Sequence, residues 1–359
     1  MLIKGCKNVA IFLRTINRLI PRKCKIFKMK ASIAMATYNG QKYVKEQLDS
    51  FTNQTRQPDE LIICDDASTD NTVKICKEFA KNANFDVTII ENETNLGLAQ
   101  NFGKAMSICT GDIVFLSDQD DVWFQDKIEV MIEALDHNDY QLILHDLEYC
   151  NNKLELIGET TIERLNKYMN LQSAYGVGMA MVIRRELLDI SLPIPKNKFI
   201  SHDSWLAICA SLIDSKYILE KPLAYYRRHE ANVTKDMSVN TPKKTTRLFF
   251  IKERVLNYLK PVDIDDLKNT IILFKLKIDW IEKYKDRILD LNLLTIEKIS
   301  NNILILNNSY NLRIERLNFL IVNKALKFIS AIGFLFQGKY KEFNGVKSFI
   351  KDILYKKRN

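Results

Sequence analysis

The 359-residue sequence lacks an apolar run long enough to cross a membrane. A spanning helix needs about 20 mainly apolar residues, and the best candidate, Leu317–Phe336, is interrupted by Lys324 and Lys327. The seven cysteines include no C-x-x-C pair, and Cys64 and Cys109 lie in or beside apolar runs. These absences argue against disulfide bonds and a cysteine zinc site, and they predict a reducing, cytoplasmic setting.

The net charge of +9 is distributed unevenly along the chain. Residues 1–30 carry nine basic and no acidic side chains, residues 31–239 carry 20 basic and 32 acidic ones, and residues 240–359 carry 24 basic and 12 acidic ones. An acidic centre argues against nucleic-acid binding by the core. The pattern instead suits a cation-binding centre that is held against an anionic surface.

Residues 1–30 predict a basic amphipathic segment. Apolar residues between Ile11 and Ile20 are separated by Arg14 and Arg18, as in helices that lie on a membrane surface. The segment has no small-residue cleavage site of the kind that ends a signal peptide. The alternative is that translation begins at Met29, in which case residues 1–28 do not belong to the protein.

From Ser32 to about residue 240, short apolar strands alternate with helical stretches, which predicts an α/β domain with a sheet flanked by helices. Strands are expected at 32–36, 61–64, 87–91, 113–116 and 142–144, with a strand or buried bend at 176–183 and a strand or loop at 221–229. Residues 146–170 are expected to be irregular. Ligands bind at the carboxyl ends of strands in such sheets, so the polar residues that follow them are expected to lie together.

Strand alternation stops beyond Pro242, and long stretches of Lys, Leu, Ile and Asn with helical spacing run to the end. We therefore place a domain boundary near residue 240, between a domain over residues 31–240 and a basic helical region over residues 241–359. The amphipathic helices of this region suit docking on an anionic membrane surface. The alternative is that they pack against the protein itself or form a homodimer.

The stretch Ser117–Trp123, S-D-Q-D-D-V-W, places three carboxylates at the end of an apolar strand. Like charges at this spacing repel each other, and a Mg²⁺ or Mn²⁺ that also binds substrate phosphates would relieve the repulsion. We therefore predict that Asp118 and Asp120 are metal ligands and that Asp121 caps the following helix. On this stretch alone, the alternative is that the acids only cap a helix over Val122–Leu135.

Three other stretches carry side chains that suit a nucleotide-linked substrate. Asp65 and Asp66 follow a predicted strand, where they can accept hydrogen bonds from a pyrimidine base or a ribose, or form an Asx turn. Asp203 begins a predicted helix and can act as a general base, or as an N-cap with His202 on the surface. The cluster at residues 227–229, R-R-H, can bind phosphate and complete a metal shell, or form a solvated basic patch.

Taken in order, these motifs resemble those of family 2 glycosyltransferases of the GT-A fold, over about residues 31–235. They are T-Y-N-G at 37–40, D-D-A-S-T-D at 65–70, N-L-G at 95–97, S-D-Q-D-D-V-W at 117–123, H-D at 202–203 and Y-R-R-H at 226–229. The form S-D-Q-D-D-V-W, followed by D-K-I, looks most like bacterial rhamnosyltransferases that build cell-surface polysaccharides. The Q-x-x-R-W motif of processive synthases is missing, so the resemblance implies transfer of one sugar or a few.

The resemblance implies a Rossmann-like mixed sheet, a nucleotide-sugar donor, Mg²⁺ or Mn²⁺, and a lipid-linked saccharide acceptor at the inner face of the plasma membrane. The donor-binding residues would be Thr37, Asn39, Asp65, Asp66, Asp118 and Arg227, the metal ligands Asp118, Asp120 and His229, and the catalytic base Asp203. The expected donor is dTDP-rhamnose, with UDP-glucose or UDP-galactose types as alternatives. A sugar-1-phosphate nucleotidyltransferase is a further alternative, although T-Y-N-G-Q-K is poor in the glycines of a phosphate loop. A non-catalytic nucleotide-sugar-binding protein is another, and it would not need Asp203.

Overall fold

A computed structural model of the protein describes residues 29–137, 139–167, 171, 175–228, 260–321 and 324–355. Three sequence-based predictions lie outside these residues: the N-terminal amphipathic segment apart from its last two residues, His229, and the domain boundary near residue 240.

Within the described residues, the centre of the protein is a nine-stranded mixed sheet. The strands are β1 (Ala31–Thr37), β2 (Glu60–Asp65), β3 (Asp86–Glu91), β4 (Ile113–Ser117), β5 (Val122–Trp123), β6 (Leu142–Cys150), β7 (Leu156–Thr160), β8 (Met181–Arg184) and β9 (Lys216–Arg227). Their order is β3-β2-β1-β4-β8-β6-β9-β5, and β7 pairs with β6.

The first four strands form the parallel half of the sheet. Every residue of β1, β2 and β4 is buried, which is why these strands are continuous apolar runs rather than alternating ones. In the registers of these strands, Thr37 lies opposite Asp65, and Met35 lies opposite Ser117. The residues that follow β1, β2 and β4 therefore meet at one edge of the sheet, as the sequence predicted.

Helices flank the sheet and continue beyond it. They are α1 (Val44–Thr52), α2 (Thr72–Ala80), α3 (Leu98–Ile108), α4 (Lys127–His137), α5 (Thr161–Asn166), α6 (Arg185–Ser191), α7 (His202–Leu212), α8 (Ile264–Asp290), α9 (Ile296–Ile321), α10 (Lys324–Phe336) and α11 (Val346–Leu354).

The prediction that residues 146–170 are irregular is wrong, because β6 extends to Cys150 and is followed by β7 and α5. The stretch is polar because its side chains form ion pairs and a helix cap that stabilise this structure. Glu159 is buried, and it accepts a hydrogen bond from Nε of the equally buried Arg164 at 2.9 Å. Thr160 and Glu163 form a capping box at the start of α5.

The helix after the acidic motif begins at Lys127, and Val122 and Trp123 instead form β5, paired with β9. The prediction that Asp121 caps this helix is therefore wrong. Asp121 is buried, and its Oδ1 accepts a hydrogen bond from the backbone N–H of Arg227 at 2.9 Å. This side chain joins the acidic motif to the end of β9.

The helical C-terminal region packs on the sheet domain. Trp280 of α8 donates a hydrogen bond from Nε1 to the carbonyl of Ile190 at 2.6 Å, and Asn302 of α9 donates to the carbonyl of Leu212 at 3.0 Å. A second apolar cluster joins α8, α9, α10 and the segment around Tyr340. Among the helices of the described ranges, none is sufficiently long and apolar to cross a membrane.

Candidate active site

A cavity of about 620 Å³ lies at the edge where β1, β2 and β4 end. Six of the predicted site residues line it: Thr37, Asn39, Asp66, Asp118, Asp120 and Asp203. Its wall also includes side chains to which the sequence analysis gave no role in the site, among them Asn101, Gln119, His202 and Tyr226. Strand ends, loops and the start of α7 therefore converge on one space.

The loop after β1 is joined to the loop after β2 by hydrogen bonds that involve Asn39. The backbone N–H of Asn39 donates to Oγ of Ser68 at 2.8 Å, and its Oδ1 accepts from the backbone N–H of Thr69 at 2.9 Å. Asn39 has a φ of +47°, a left-handed conformation that asparagine tolerates better than most residues. This side chain therefore fixes the loop as well as lining the cavity.

The two adjacent aspartates after β2 occupy different positions. Asp65 is buried outside the cavity lining. Its carboxylate accepts hydrogen bonds from Oγ1 of Thr37 at 2.8 Å and from the N–H and hydroxyl of Ser68 at 2.8 and 2.6 Å. Of the two aspartates predicted to bind the donor, the cavity lining therefore includes Asp66 and not Asp65.

Asp66 also organises the N-L-G loop. Its two carboxylate oxygens accept hydrogen bonds from the backbone N–H groups of Leu96 and Gly97 at 2.7 and 2.9 Å, and Nδ2 of Asn92 adds a third at 2.9 Å. Gly97 has a φ of +81°, which glycine adopts without strain. The loop is thereby held at the cavity wall.

The S-D-Q-D-D loop is held against the first loop by Gln119. The amide group of Gln119 donates to the carbonyl of Tyr38 and accepts from its N–H, both at 2.9 Å. Gly40 lies beside this amide, and a Cβ at that position would overlap the Gln119 side chain. The close approach leaves Asp118 and Asp120 on either side of Gln119, both lining the cavity.

The electrostatics of this loop favour a bound cation. Burial of its carboxyl group, together with the negative charges of Asp120 and Asp203, raises the pKa of Asp118 to about 8. Lys127 and Arg228 oppose this shift without cancelling it. The surroundings therefore disfavour a charged Asp118, and a cation bound beside it would act in the opposite direction.

The donor set fits a cation that arrives with substrate phosphates. In the part of the chain that the structure describes, no group of three or more His, Cys, Asp or Glu side chains is arranged to hold a metal ion by itself. Mg²⁺ usually keeps several waters and takes only one or two protein carboxylates along with phosphate oxygens. Asp118 and Asp120 are the carboxylates at the cavity that could supply such ligands.

Lys127, a buried lysine that the sequence analysis did not identify, interacts electrostatically with the aspartates of the acidic motif. Lys127 donates a hydrogen bond from Nζ to the carbonyl of Met179 at 2.6 Å, and its ammonium group lies 3.6 Å from the ring centre of Trp123. Burial lowers the pKa of Lys127, whereas the charges of Asp121 and Asp118 act in the opposite direction. The spacing D-V-W-F-Q-D-K carried no signal for this placement.

The two arginines after Tyr226 differ in their position relative to the cavity. Arg227, predicted to bind the donor, is buried outside the cavity lining. It donates hydrogen bonds from Nε to the carbonyl of Asp120 at 2.8 Å and from Nη2 to Glu46 at 2.5 Å. Arg228 lines the cavity instead, with its guanidinium 4.8 Å from the ring centre of Tyr226.

The H-D pair begins α7 at the cavity wall. Ser201 is the N-cap, and Oδ1 of Asp203 accepts a hydrogen bond from the N–H of Ser204 at 2.7 Å. Asp203 lines the cavity, and its charge contributes to the raised pKa of Asp118. The alternative that placed His202 on the surface is wrong, because this side chain is only 3% exposed and stacks on Phe102.

Comparison with known proteins gives a consistent set of relatives. The profile of glycosyl transferase family 2 matches residues 32–190. The dTDP-rhamnosyl transferase RfbG of Shigella flexneri is 33% identical over 211 residues, which cover 55% of this chain and 72% of that protein. The Escherichia coli glucosyltransferase WfgD, named as a UDP-Glc:α-D-GlcNAc-diphosphoundecaprenol β-1,3-glucosyltransferase, is 27% identical over 209 residues, which cover 56% and 79%.

A solved structure shows the same fold over most of the chain. It is S. aureus TarS 1–349 in complex with UDP-GlcNAc, with a TM-score of 0.53 and 16% sequence identity. The match covers 90% of this chain and 91% of that one, so it includes the C-terminal helices as well as the sheet domain.

Proposed function

Because the chain belongs to glycosyl transferase family 2, we propose that it moves one hexose from a nucleotide sugar to a growing cell-surface polysaccharide, with inversion and without processivity. One observation carries this proposal. Asp118, Asp120, Asp203 and Arg228 line the same cavity, which gives a single site both the charges for a diphosphate leaving group and a carboxylate for an acceptor.

Asp203 is proposed to be the catalytic base. It would remove a proton from an acceptor hydroxyl, which attacks the anomeric carbon from the side opposite the nucleotide, so that a single displacement inverts the configuration. Its carboxylate is held at the cavity wall by the N–H of Ser204. A base must lie within hydrogen-bond reach of the proton that it abstracts, and a fixed helix start provides that positioning.

The reaction also requires stabilisation of the negative charge that develops on the leaving diphosphate. Asp118 and Asp120 are proposed to hold Mg²⁺ or Mn²⁺, which would neutralise the diphosphate when bound. Arg228 is assigned the phosphate-binding role in place of Arg227, because it lines the cavity and its charge acts on Asp118. His229, the next residue in the sequence, is proposed as a further ligand of the metal. Positive charge that is already in place contributes most as the leaving group separates.

The nucleotide end is proposed to lie against Thr37, Asn39 and Asp66, which line the cavity at the ends of β1 and β2. Asp65 supports this wall from behind through its hydrogen bonds to Thr37 and Ser68. The named activity of RfbG favours dTDP-rhamnose as donor. The named activity of WfgD favours a UDP-glucose type, so both donors enter the test.

A thermal-shift screen with Mn²⁺ tests donor choice. We expect dTDP-rhamnose to raise the melting temperature more than UDP-glucose or UDP-galactose, because ligands that bind only the folded state stabilise it. The same nucleotide sugars with Mn²⁺ omitted serve as the control. The rhamnosyl assignment is refuted if a UDP-sugar gives the larger shift, and the donor site itself is refuted if no nucleotide sugar gives any.

An anionic lipid surface is proposed to hold the enzyme near a lipid-linked acceptor at the inner face of the plasma membrane. Leu326, Ile329 and Phe336 of α10 are 58, 65 and 87% exposed, and their spacing puts them on one helix face. Gly333 lies on the same face, and, its chain neighbours and its own helix backbone aside, no atom of the described residues lies within 4 Å of the position that a Cβ on Gly333 would occupy. The region from residue 240 onward has 24 basic and 12 acidic residues, which complements anionic headgroups.

Vesicle flotation tests the lipid surface. We expect the protein to float with vesicles of phosphatidylglycerol and to detach in high salt, because attraction of about 1 kcal/mol per basic residue is screened. The double variant Ile329→Ser and Phe336→Ser should bind at least tenfold less. Leu304→Ser, which changes a 59% exposed leucine on α9, is the control. Equal binding to neutral vesicles, or a dimer that dissociates in the double variant, would contradict the lipid proposal and favour self-association.

A further inference from the structure

His202 is a buried polar side chain in the cavity wall whose role is not explained by the proposed chemistry. It is 3% exposed and lines the cavity directly before Asp203. Its ring stacks on Phe102 with 4.0 Å between ring centres and 21° between the planes. Among the residues that the structure describes, neither Nδ1 nor Nε2 has a hydrogen-bond partner.

This arrangement lowers the stability of the folded protein, so folding by itself does not explain it. Buried polar atoms are nearly always hydrogen-bonded, and each one that is not lowers the stability of the folded state. A phenylalanine at this position would also present a ring to Phe102 and would leave no polar atom unpaired. The neighbouring Gly178 leaves the imidazole its space, since a Cβ on Gly178 would lie 2.7 Å from Nε2. The fold thus keeps two buried polar atoms without a hydrogen-bond partner in a residue that lines the cavity.

The imidazole offers hydrogen bonds to a neutral partner. Burial lowers the pKa of His202, although the charge of Asp203 opposes this shift, and a neutral ring has one donor and one acceptor. A hydroxyl group matches that pair, because it also donates and accepts. The diphosphate of a nucleotide sugar has only acceptors near neutral pH, and the groups suited to it are Arg228 and a cation held by Asp118 and Asp120.

We propose that His202 is a sugar-binding residue, which hydrogen-bonds a hydroxyl of the donor hexose or of the acceptor sugar beside Asp203. This proposal rests on the proposed glycosyl transfer. The position next to the base places the contact at the reacting sugars rather than at the nucleotide. A sugar hydroxyl could donate a hydrogen bond to one ring nitrogen or accept one from the other. Either bond would give a partner to a nitrogen that has none within the described residues.

Two substitutions separate this role from a structural one. His202→Phe keeps the ring on Phe102 and removes both nitrogens, whereas His202→Gln keeps a donor and an acceptor. We expect His202→Phe to melt at or above the wild-type temperature and yet to lose about 10- to 100-fold in kcat/KM, the range for one lost hydrogen bond to a substrate. His202→Gln should recover part of that loss. A purely structural histidine would give the opposite pattern, with lower melting and unchanged kinetics.

Calorimetry with Mn²⁺ distinguishes the two sugars. If the hydroxyl belongs to the donor, His202→Phe should bind dTDP as wild type does and bind dTDP-rhamnose about 10-fold more weakly. If it belongs to the acceptor, both affinities stay unchanged, slow hydrolysis of the donor is also unchanged, and KM rises for a polyprenyl-diphosphate-linked N-acetylglucosamine acceptor.

Two results would overturn the proposal. One is His202→Phe with wild-type kcat/KM for donor and acceptor. The other is an equal loss of dTDP and dTDP-rhamnose binding, which would mean that His202 shapes the pocket. Failure of the proposed function would appear differently, since the wild-type protein itself would then bind no nucleotide sugar and release no nucleoside diphosphate. That result would overturn both.

Discussion

Asp203→Asn is expected to abolish glycosyl transfer while donor binding persists. The substitution removes the group proposed to take the acceptor proton, and general base catalysis contributes about 10²- to 10⁴-fold in rate. The fold should be retained, because Oδ1 of an asparagine can still accept the hydrogen bond from the N–H of Ser204. The measurement is kcat for transfer, alongside calorimetry of the nucleotide sugar with Mn²⁺.

Asp286→Asn is a suitable control for this experiment. It makes the same chemical change at an exposed aspartate of α8, outside the cavity lining, and should leave kcat and the donor affinity unchanged. If Asp203→Asn lost donor binding together with activity, Asp203 would be a donor-binding residue and the base would have to be sought elsewhere. Retained transfer would exclude it from the chemistry altogether.

Asp120→Ala is expected to remove both transfer activity and its dependence on a divalent cation. A lost charge at the leaving group typically costs about 10²- to 10³-fold in rate. The substitution should not release β9, because Arg227 donates to the main-chain carbonyl of Asp120 and an alanine keeps that carbonyl. Transfer rates across a Mn²⁺ titration, from EDTA to millimolar cation, make the measurement.

Asp126→Ala is the matched control for the cation experiment. Asp126 lies six residues further along and pairs with Lys221 at the surface, at 2.6 Å. Exposed pairs of this kind contribute about 0–1 kcal/mol to stability, so activity and cation dependence should stay as in wild type. Full wild-type activity in EDTA would refute the metal site and leave Arg228 as the main stabiliser of the leaving diphosphate.

The sequence predicted the first strands of the sheet and their common edge because buried strands are apolar runs and their ends are marked by polar residues. Thr37, Asp66 and Asp118 were found together for that reason. The sequence could not predict which member of an adjacent pair, such as Asp65 and Asp66, faces the cavity. Arg227 ends β9 and Arg228 follows it, and residue type does not say which of the two faces the cavity.

Tertiary contacts decide the remaining differences. His202 is buried because Phe102 of α3 lies against it, and the two are separated by 100 positions in the chain. Lys127 occupies a helix start that looks solvated in the sequence, yet the carbonyl of Met179 and the ring of Trp123 enclose it. Asp121 was misplaced because the two-residue strand β5 is too short to leave a pattern.

The most direct test of glycosyl transfer is ³¹P NMR of the wild-type protein with dTDP-rhamnose, diamagnetic Mg²⁺ and a polyprenyl-diphosphate-linked saccharide. We predict that dTDP appears as the phosphorus product at a rate that depends on Asp203, Asp120 and the cation. Formation of rhamnose-1-phosphate and dTTP when pyrophosphate is added would contradict it and reveal a nucleotidyltransferase. An unchanged spectrum with every nucleotide sugar tested would contradict it as well.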